Sequence, residues 1–158
     1  MRIDELPAPE NSLIYPYTIA EGHYTDAFQT DAPTGADLPC LIEAFYTSPV
    51  FKAERLVLAL SGARSTDEQA SDLARDGAQK FAIWQVEARG ADEILMDAGR
   101  TKSWLMVRGG HLWFGSVVVP VMQRGKLTLG PVFYSLLQAH KVYSRVLLGA
   151  AARRLARQ

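Results

Sequence analysis

Acidic residues are missing from the last 61 positions of the sequence, Ala98 to Gln158, although these positions contain ten Lys and Arg. All 17 Asp and Glu lie in the first 97 positions beside seven basic residues, so a formal net charge of zero hides an acidic part followed by a basic part. This excludes a carboxylate pair or a carboxylate-rich metal site from the basic part, whereas an anion would be attracted to it. We expect the two parts to fold against each other and to neutralise each other's charge.

Cysteine and long apolar stretches are also scarce. Cys40 is the only cysteine, which excludes an internal disulfide and is typical of a protein of the reducing cytoplasm. Residues 1–7 contain no apolar stretch typical of a signal peptide, and no apolar run is long enough for a membrane span. The length predicts a single domain over residues 1–158, in which residues 1–12 form an extended N-terminal arm.

Motifs for metal binding, nucleophilic catalysis and nucleotide binding are absent as well. The three histidines, His23, His111 and His140, are too far apart in the sequence to give metal-ligand spacing. The sequence also contains neither GxSxG nor GxGxxG. We therefore predict no metal and no cofactor, and the motifs leave open whether the protein is an enzyme.

The acidic part predicts one strand followed by two or three helices. Alternating residues predict the strand over residues 22–30, with Tyr24, Asp26 and Phe28 on one face. The helices are predicted from their start signals. The signals are Asp37 as an N-cap, Ser48 before a proline in a helix that ends at Gly62, and a capping box of Ser65 and Glu68 in a helix that ends at Gly77.

The remaining segments, from residue 81 onward, predict strands and one long helix. Alternation predicts four antiparallel strands over residues 81–88, 93–97, 103–107 and 111–119, the last two joined by a Gly109-Gly110 hairpin that needs positive φ. A helix then follows over residues 131–157, and we expect its apolar residues Phe133, Leu136 and Leu147 to be buried. This order predicts an α+β fold in which a curved antiparallel sheet of about five strands wraps on the long C-terminal helix.

Three segments carry a resemblance to a known family. They are His-Tyr-Thr-Asp-Ala-Phe at 23–28, Ser-Pro-Val-Phe at 48–51 and His-Lys-Val-Tyr-Ser-Arg-Val-Leu-Leu at 140–148. With the element order, they make the chain similar to a bacterial family, domain-of-unknown-function family 2867. That family is grouped with the START and birch-pollen-allergen helix-grip superfamily. The resemblance implies a helix-grip fold and provides no catalytic residues.

Three polar side chains are the candidate site residues. His140 and Tyr143 lie one turn apart on the apolar stripe of the last helix, where an imidazole can act as an acid, a base or a ligand donor. Asp26 lies between two aromatic residues on the first strand, so it needs a partner if that face is buried. A packing role remains the alternative for each residue. Tyr24, Trp84 and Trp104 are predicted to add apolar contacts to the same ligand site.

The strands around Trp104 and Trp113 carry large apolar residues on both faces. A sheet with one covered face should show polar residues on the other. This pattern indicates either a partner subunit over the second face, and so a homodimer, or a ligand against the first. Basic residues do not alternate with these aromatics, so we expect no nucleic acid partner.

Three functional hypotheses follow from these features. The first is a cytoplasmic domain that binds a small apolar or amphipathic ligand, favoured to be anionic, between the sheet and the C-terminal helix. The second is an enzyme of cyclase or hydratase type on the same scaffold, using Asp26 with His140 or Tyr143. The third is a dimerising or regulatory module without catalysis. A cavity on which Asp26 and His140 converge would favour the enzyme over the pure binder.

Overall fold

A seven-stranded antiparallel sheet forms the centre of the computed structural model, which describes residues 1–60 and 64–157, and only the backbone of Glu54 and residues 56–60. The first two strands of the chain lie at one side of the sheet. The seventh strand pairs with the second, and the sixth to third strands follow in reverse sequence order. In chain order the strands are β1 (Asp4–Glu5), β2 (Tyr24–Asp31), β3 (Lys80–Phe81), β4 (Trp84–Arg89), β5 (Glu93–Asp97), β6 (Thr101–Arg108) and β7 (His111–Val118).

Five helices and a separate hairpin complete the described part of the fold. The long helix α5 contains 25 residues and packs against α2, β2 and β7, while α2 contacts β6. The helices are α1 (Tyr15–Thr18), α2 (Leu38–Tyr46), α3 (Pro49–Leu60), α4 (Asp67–Ala74) and α5 (Pro131–Leu155), and the hairpin consists of β8 (Val121–Gln123) and β9 (Lys126–Thr128).

The predicted α+β class and the predicted long C-terminal helix are confirmed. The strand predicted over residues 81–88 is wrong as a single strand. Ala82 has a φ of 53°, and the resulting turn divides this segment into β3 and β4. The sheet also has seven strands rather than about five, because β1 and β3 each add a two-residue strand at an edge. Gly109 and Gly110 have the positive φ that the two-residue hairpin requires, 62° and 76°.

The helix start signals are confirmed with one shift. The Asp37 carboxylate accepts the Cys40 N–H at 2.8 Å and caps α2. The N-cap of α4 is Thr66 rather than Ser65, in a capping box with Gln69 rather than with Glu68, and α4 ends at Ala74, three residues before the predicted glycine. The predicted end of α3 at Gly62 lies outside the described residues.

The second face of the sheet is covered by the chain itself. Trp104 is fully buried there and Trp113 is 8 % exposed, in a cluster with the fully buried Ile14. Residues 6–20, which include α1, cross this face and are called the N-terminal segment below. The arm predicted over residues 1–12 forms β1 and then continues as this cover, and no partner subunit is needed to bury the two tryptophans.

A buried carboxylate attaches the N-terminal segment to the sheet. Glu93 of β5 is 5 % exposed, and its Oε2 accepts the backbone N–H of Leu13 at 2.8 Å and the indole N–H of Trp104 at 2.7 Å. Arg108 donates to the other oxygen at 3.1 Å. Glu93 therefore has a partner for each oxygen, as a buried carboxylate requires.

Helix α5 divides into a buried C-terminal half and a largely exposed N-terminal half. Leu147 is 3 % exposed, as predicted. The expected burial of Leu136 is wrong, because that side chain is 56 % exposed, and Phe133 is only half-buried. Only the second half of α5 packs on filled core. The first half lies over an open cleft.

Ion pairs join the acidic and basic parts of the sequence, as expected. Glu5 contacts Lys141 at 2.6 Å and Arg145 at 2.8 Å, which ties β1 to α5. Arg108 pairs with Asp92 at 2.6 Å within the sheet.

Candidate functional site

A cleft of about 730 Å³ lies between the sheet and the N-terminal half of α5. Strands β6 and β7 form its sheet side, and α5 forms the opposite wall. Most of the lining is apolar, a composition typical of small-molecule sites. The apolar residues include Phe45, Phe51, Trp84, Phe114, Val118, Leu129, Val132, Phe133, Leu136 and Leu147.

Alternation along the two strands places a polar patch in the sheet side of the cleft. Thr101 pairs with Val118 and Ser103 pairs with Ser116, while Phe114 follows as the next cleft-facing residue of β7. Residues two positions apart on a strand are separated by roughly 7 Å. The two serines therefore form a polar patch on the sheet side of the cleft, between the apolar side chains of Val118 and Phe114.

Ser116 belongs to a hydrogen-bond network around the buried carboxylate of Asp26. Oδ1 of Asp26 accepts the hydroxyl of Ser116 at 2.6 Å and its backbone N–H at 3.1 Å. The Tyr24 hydroxyl donates to Oδ2 at 2.9 Å. Nε2 of His140 lies 3.2 Å from Oδ2 and 2.8 Å from the Ser116 hydroxyl oxygen. This group is called the Asp26 network below.

The Asp26 network holds the carboxyl in its ionised form. Burial raises the pKa of Asp26, but hydrogen bonds from His140, Ser116 and Tyr24 outweigh it, so the pKa lies below its usual value. For Tyr24, burial and the adjacent Asp26 charge raise the pKa, so the phenol keeps its proton and remains a donor.

Counting protons assigns the tautomer of His140. The single hydroxyl proton of Ser116 is donated to Asp26, so the Ser116 oxygen can only accept from the imidazole. An ionised Asp26 likewise offers only an acceptor. Nε2 of His140 therefore carries a proton shared between Ser116 and Asp26, and in the neutral ring the lone pair lies on Nδ1. This arrangement also excludes Ser116 as a nucleophile activated by His140, because Nε2 is no base for its proton.

Basic side chains lie along the cleft, and no Asp or Glu lines it among the described residues. Arg100 and Lys102 both contribute to the lining. The Lys102 ammonium is paired with Asp97 at 2.8 Å and with Glu87. Within the described part of the chain, the Arg100 guanidinium makes one long hydrogen bond of 3.4 Å, to the backbone oxygen of Leu129. Of the two cations at the cleft, Lys102 therefore has two carboxylate partners, whereas the described residues give Arg100 none.

The structure brings together most of the residues predicted from sequence. Asp26, His140 and Tyr24 form one network, and the Tyr24 ring packs against Phe133 with centroids 5.0 Å apart. Tyr143 lines the cleft and is 36 % exposed.

The two predicted tryptophans lie on different sides of the sheet. Trp84 lines the cleft, and its buried indole N–H has no partner among the described residues. Trp104 is not part of the site, since it lies on the opposite face, fully buried and bonded to Glu93.

Three cleft residues were missed from the sequence. Ser103 and Ser116 are small polar residues inside otherwise apolar strands. Their sequence positions become informative only when the strand register pairs them across the sheet. Arg100 lies in a turn just before β6, and nothing in its sequence context points to the cleft.

Comparison with protein-family models, with curated proteins and with solved structures finds no match for this chain. Within the described residues, no three His, Cys, Asp or Glu side chains are grouped as a metal site would require. The same part of the chain contains no helix with the length and apolarity needed to cross a membrane.

Proposed function

We propose that this protein is a helix-grip-like domain that binds a small amphipathic ligand in the cleft between its sheet and α5. The pairing of β2 with β7 and the long helix across the same face support the architecture. The observation that carries the function is the cleft itself, about 730 Å³ and mostly apolar in its lining.

Exposed apolar residues in the cleft support a bound apolar group. Val132 is 69 % exposed and Leu136 is 56 % exposed, and both line the cleft. Covering such surface gains about 25 cal/mol for each Å² removed from water. A ligand with an apolar body therefore stabilises the complex where the free protein leaves these side chains in water.

The charge of the lining favours an anionic ligand. Arg100 and Lys102 lie at the cleft, and most of the lining residues belong to the part of the chain without Asp or Glu. A negatively charged head group is attracted by this potential, whereas an amine is repelled.

Tryptophan fluorescence tests the proposal with decanoate as the probe. Among the three tryptophans of the chain, Trp84 lines the cleft, whereas Trp104 and Trp113 lie in the cluster on the other face. Decanoate should change the emission in a saturable way, and Trp84→Phe should remove the change. A response that survives in Trp84→Phe would place binding elsewhere.

A matched pair of variants checks the position of the ligand. Leu136→Gln should weaken decanoate binding about tenfold, since contact with a leucine side chain is worth about 1.5–3 kcal/mol. Tyr134→Gln is the control, because Tyr134 is 63 % exposed on α5 without lining the cleft. Equal effects of the two substitutions would argue against the cleft.

An enzyme of hydratase type is a second candidate, favoured by the 3.2 Å contact between Asp26 and His140. His140 Nδ1 would take a proton from water as the oxygen bonds to one carbon of a C=C bond, and would return the proton to the other carbon. Incubation with trans-2-decenoate and mass spectrometry tests this candidate. An enzyme should give a product heavier by one water, and this product should be absent with His140→Gln. Unchanged trans-2-decenoate would argue against the enzyme and in favour of ligand binding alone.

A further inference from the structure

The imidazole of His140 has two edges with different surroundings. Nε2 faces the sheet, 2.8 Å from the Ser116 oxygen and 3.2 Å from Asp26. For Nδ1, the described part of the chain provides no hydrogen-bond partner. The side chain is 32 % exposed and lines the cleft, whereas the Asp26 side chain behind it is only 1 % exposed. Nδ1 is therefore the ring nitrogen left for a ligand.

We propose that the ligand of the cleft is an amphipathic carboxylate whose head group accepts a hydrogen bond from Nδ1–H of a His140 imidazolium, beside the Ser103 hydroxyl. This inference rests on the proposed function and specifies the chemical class of the ligand. In this state both ring nitrogens donate, Nε2 to the Asp26 network and Nδ1 to the ligand.

The buried carboxylate of Asp26 lies directly behind the His140 ring. Asp26 and the donor Tyr24 from β2, and Ser116 from β7, are the polar groups that face His140 from the sheet. Because the pKa of Asp26 is lowered, that carboxylate is ionised and provides a counter-charge for a cation at this point of the cleft. The ligand thus meets a cation whose counter-charge is buried behind it, and a charge-assisted hydrogen bond to a carboxylate is stronger than one to a neutral oxygen.

Ser103 places a second donor at the same point of the cleft. It is paired across the sheet with Ser116, which contacts His140. Ser103 is 7 % exposed and lines the cleft, and its hydroxyl has no hydrogen-bond partner within the described residues. A carboxylate has two oxygens and can accept from both groups, whereas an alcohol has one and an ammonium group has no acceptor.

A head-group series tests the proposal by calorimetry at about pH 6. The probes are decanoate, decanol and decylamine, which share one chain and differ in the head group. Decanoate should bind about tenfold tighter than decanol, and decylamine should bind weakest. Equal affinities would overturn the carboxylate assignment but leave the binding function standing. Failure of all three probes to bind would instead overturn the proposed function.

Variants identify the group that holds the carboxylate. His140→Gln should reduce decanoate affinity to that of decanol without changing decanol affinity, and Ser103→Ala should weaken decanoate alone by a smaller factor. His111→Gln is the control, because His111 lies at the start of β7 and does not line the cleft. Retention of the decanoate preference in His140→Gln, with its loss in Arg100→Gln, would assign the head group to Arg100 and overturn the proposal.

Nuclear magnetic resonance of the wild type provides a readout that does not depend on a folded variant. The Nδ1 resonance of His140 should shift to its protonated, hydrogen-bonded position with decanoate and not with decanol. An unchanged Nδ1 resonance at saturating decanoate would contradict the proposal.

Discussion

Asp26 is the residue around which the candidate site is organised. One carboxylate with 1 % side-chain exposure accepts from Tyr24, Ser116 and His140, and so joins β2, β7 and α5. Hydrogen bonds to a charged group contribute about 1.5–3 kcal/mol each, because the alternative is a buried charge without partners. Asp26 therefore serves the stability of the fold as well as the position of His140.

Asp26→Asn should lower the free energy of unfolding at neutral pH by about 1.5–3 kcal/mol. The substitution should also make the free energy of unfolding less dependent on pH in the acidic range. Since the folded-state pKa of Asp26 lies below its usual value of about 3.9, its stabilisation is present above that value and is lost as pH falls through the folded-state pKa. Urea unfolding of both proteins between about pH 6 and pH 2 measures this difference. Parallel pH curves for the two proteins would mean that Asp26 is not stabilised by its network.

At the residue scale, alternation along strands predicted part of the site and misplaced one residue. Tyr24, Asp26 and Phe28 lie on one face, as predicted, because β2 is a regular strand in which residues two positions apart share a face. The prediction that Trp104 lines the cleft is wrong. Ser103 lines the cleft, and successive residues of a strand point to opposite faces, so Trp104 lies on the other face. Both faces of β6 are apolar, so the sequence pattern could not distinguish the cleft side from the side under the N-terminal segment.

At the element scale, α5 serves two purposes along one helix. Its C-terminal half closes the core through residues such as Leu147 and Leu148, while its N-terminal half forms a wall of the cleft with Leu136 and Val132. The apolar stripe is continuous in sequence. The spacing of its residues shows which face is apolar but not whether that face meets packed side chains or an open cleft.

Two substitutions in α5 test this division. Leu148→Ala should cost about 2–5 kcal/mol, because Leu148 is fully buried away from the cleft and its removal leaves a cavity in filled core. Leu136→Ala should cost no more than about 0.5 kcal/mol, as expected for an exposed position. Chemical denaturation measures both values. Similar losses at the two positions would mean that the cleft is closed in solution and that Leu136 belongs to the core.

At the scale of the whole molecule, the N-terminal segment gives the sheet its second covered face. Ile14 is fully buried against Trp104, Trp113 and Val117. This segment covers the apolar face from which the hypothesis of a dimerising module was drawn, and that hypothesis stays a prediction. The apolar pattern of the strands predicted either a partner subunit over this face or a ligand against the other. It could not point to the N-terminal segment, since residues 6–20 carry no long apolar pattern and their contacts are distant in sequence.

Ile14→Ala tests the cover, with Ile19→Ala as its control. Ile14→Ala should destabilise the protein by about 2–5 kcal/mol and increase quenching of tryptophan fluorescence by acrylamide. Ile19 is 72 % exposed, so its substitution should change stability by no more than about 0.5 kcal/mol. Equal and small effects would show that the N-terminal segment does not pack on the sheet.

Ligand binding in the cleft is the central claim, and methyl resonance mapping of the full chain with decanoate tests it most directly. The methyl groups of Val132 and Leu136, which line the cleft, should shift together and saturate at one affinity. Those of Leu95, buried on the opposite face of the sheet, should remain in place. Shifts at Leu95 without shifts at Val132 and Leu136, or no shifts at all, would contradict the account.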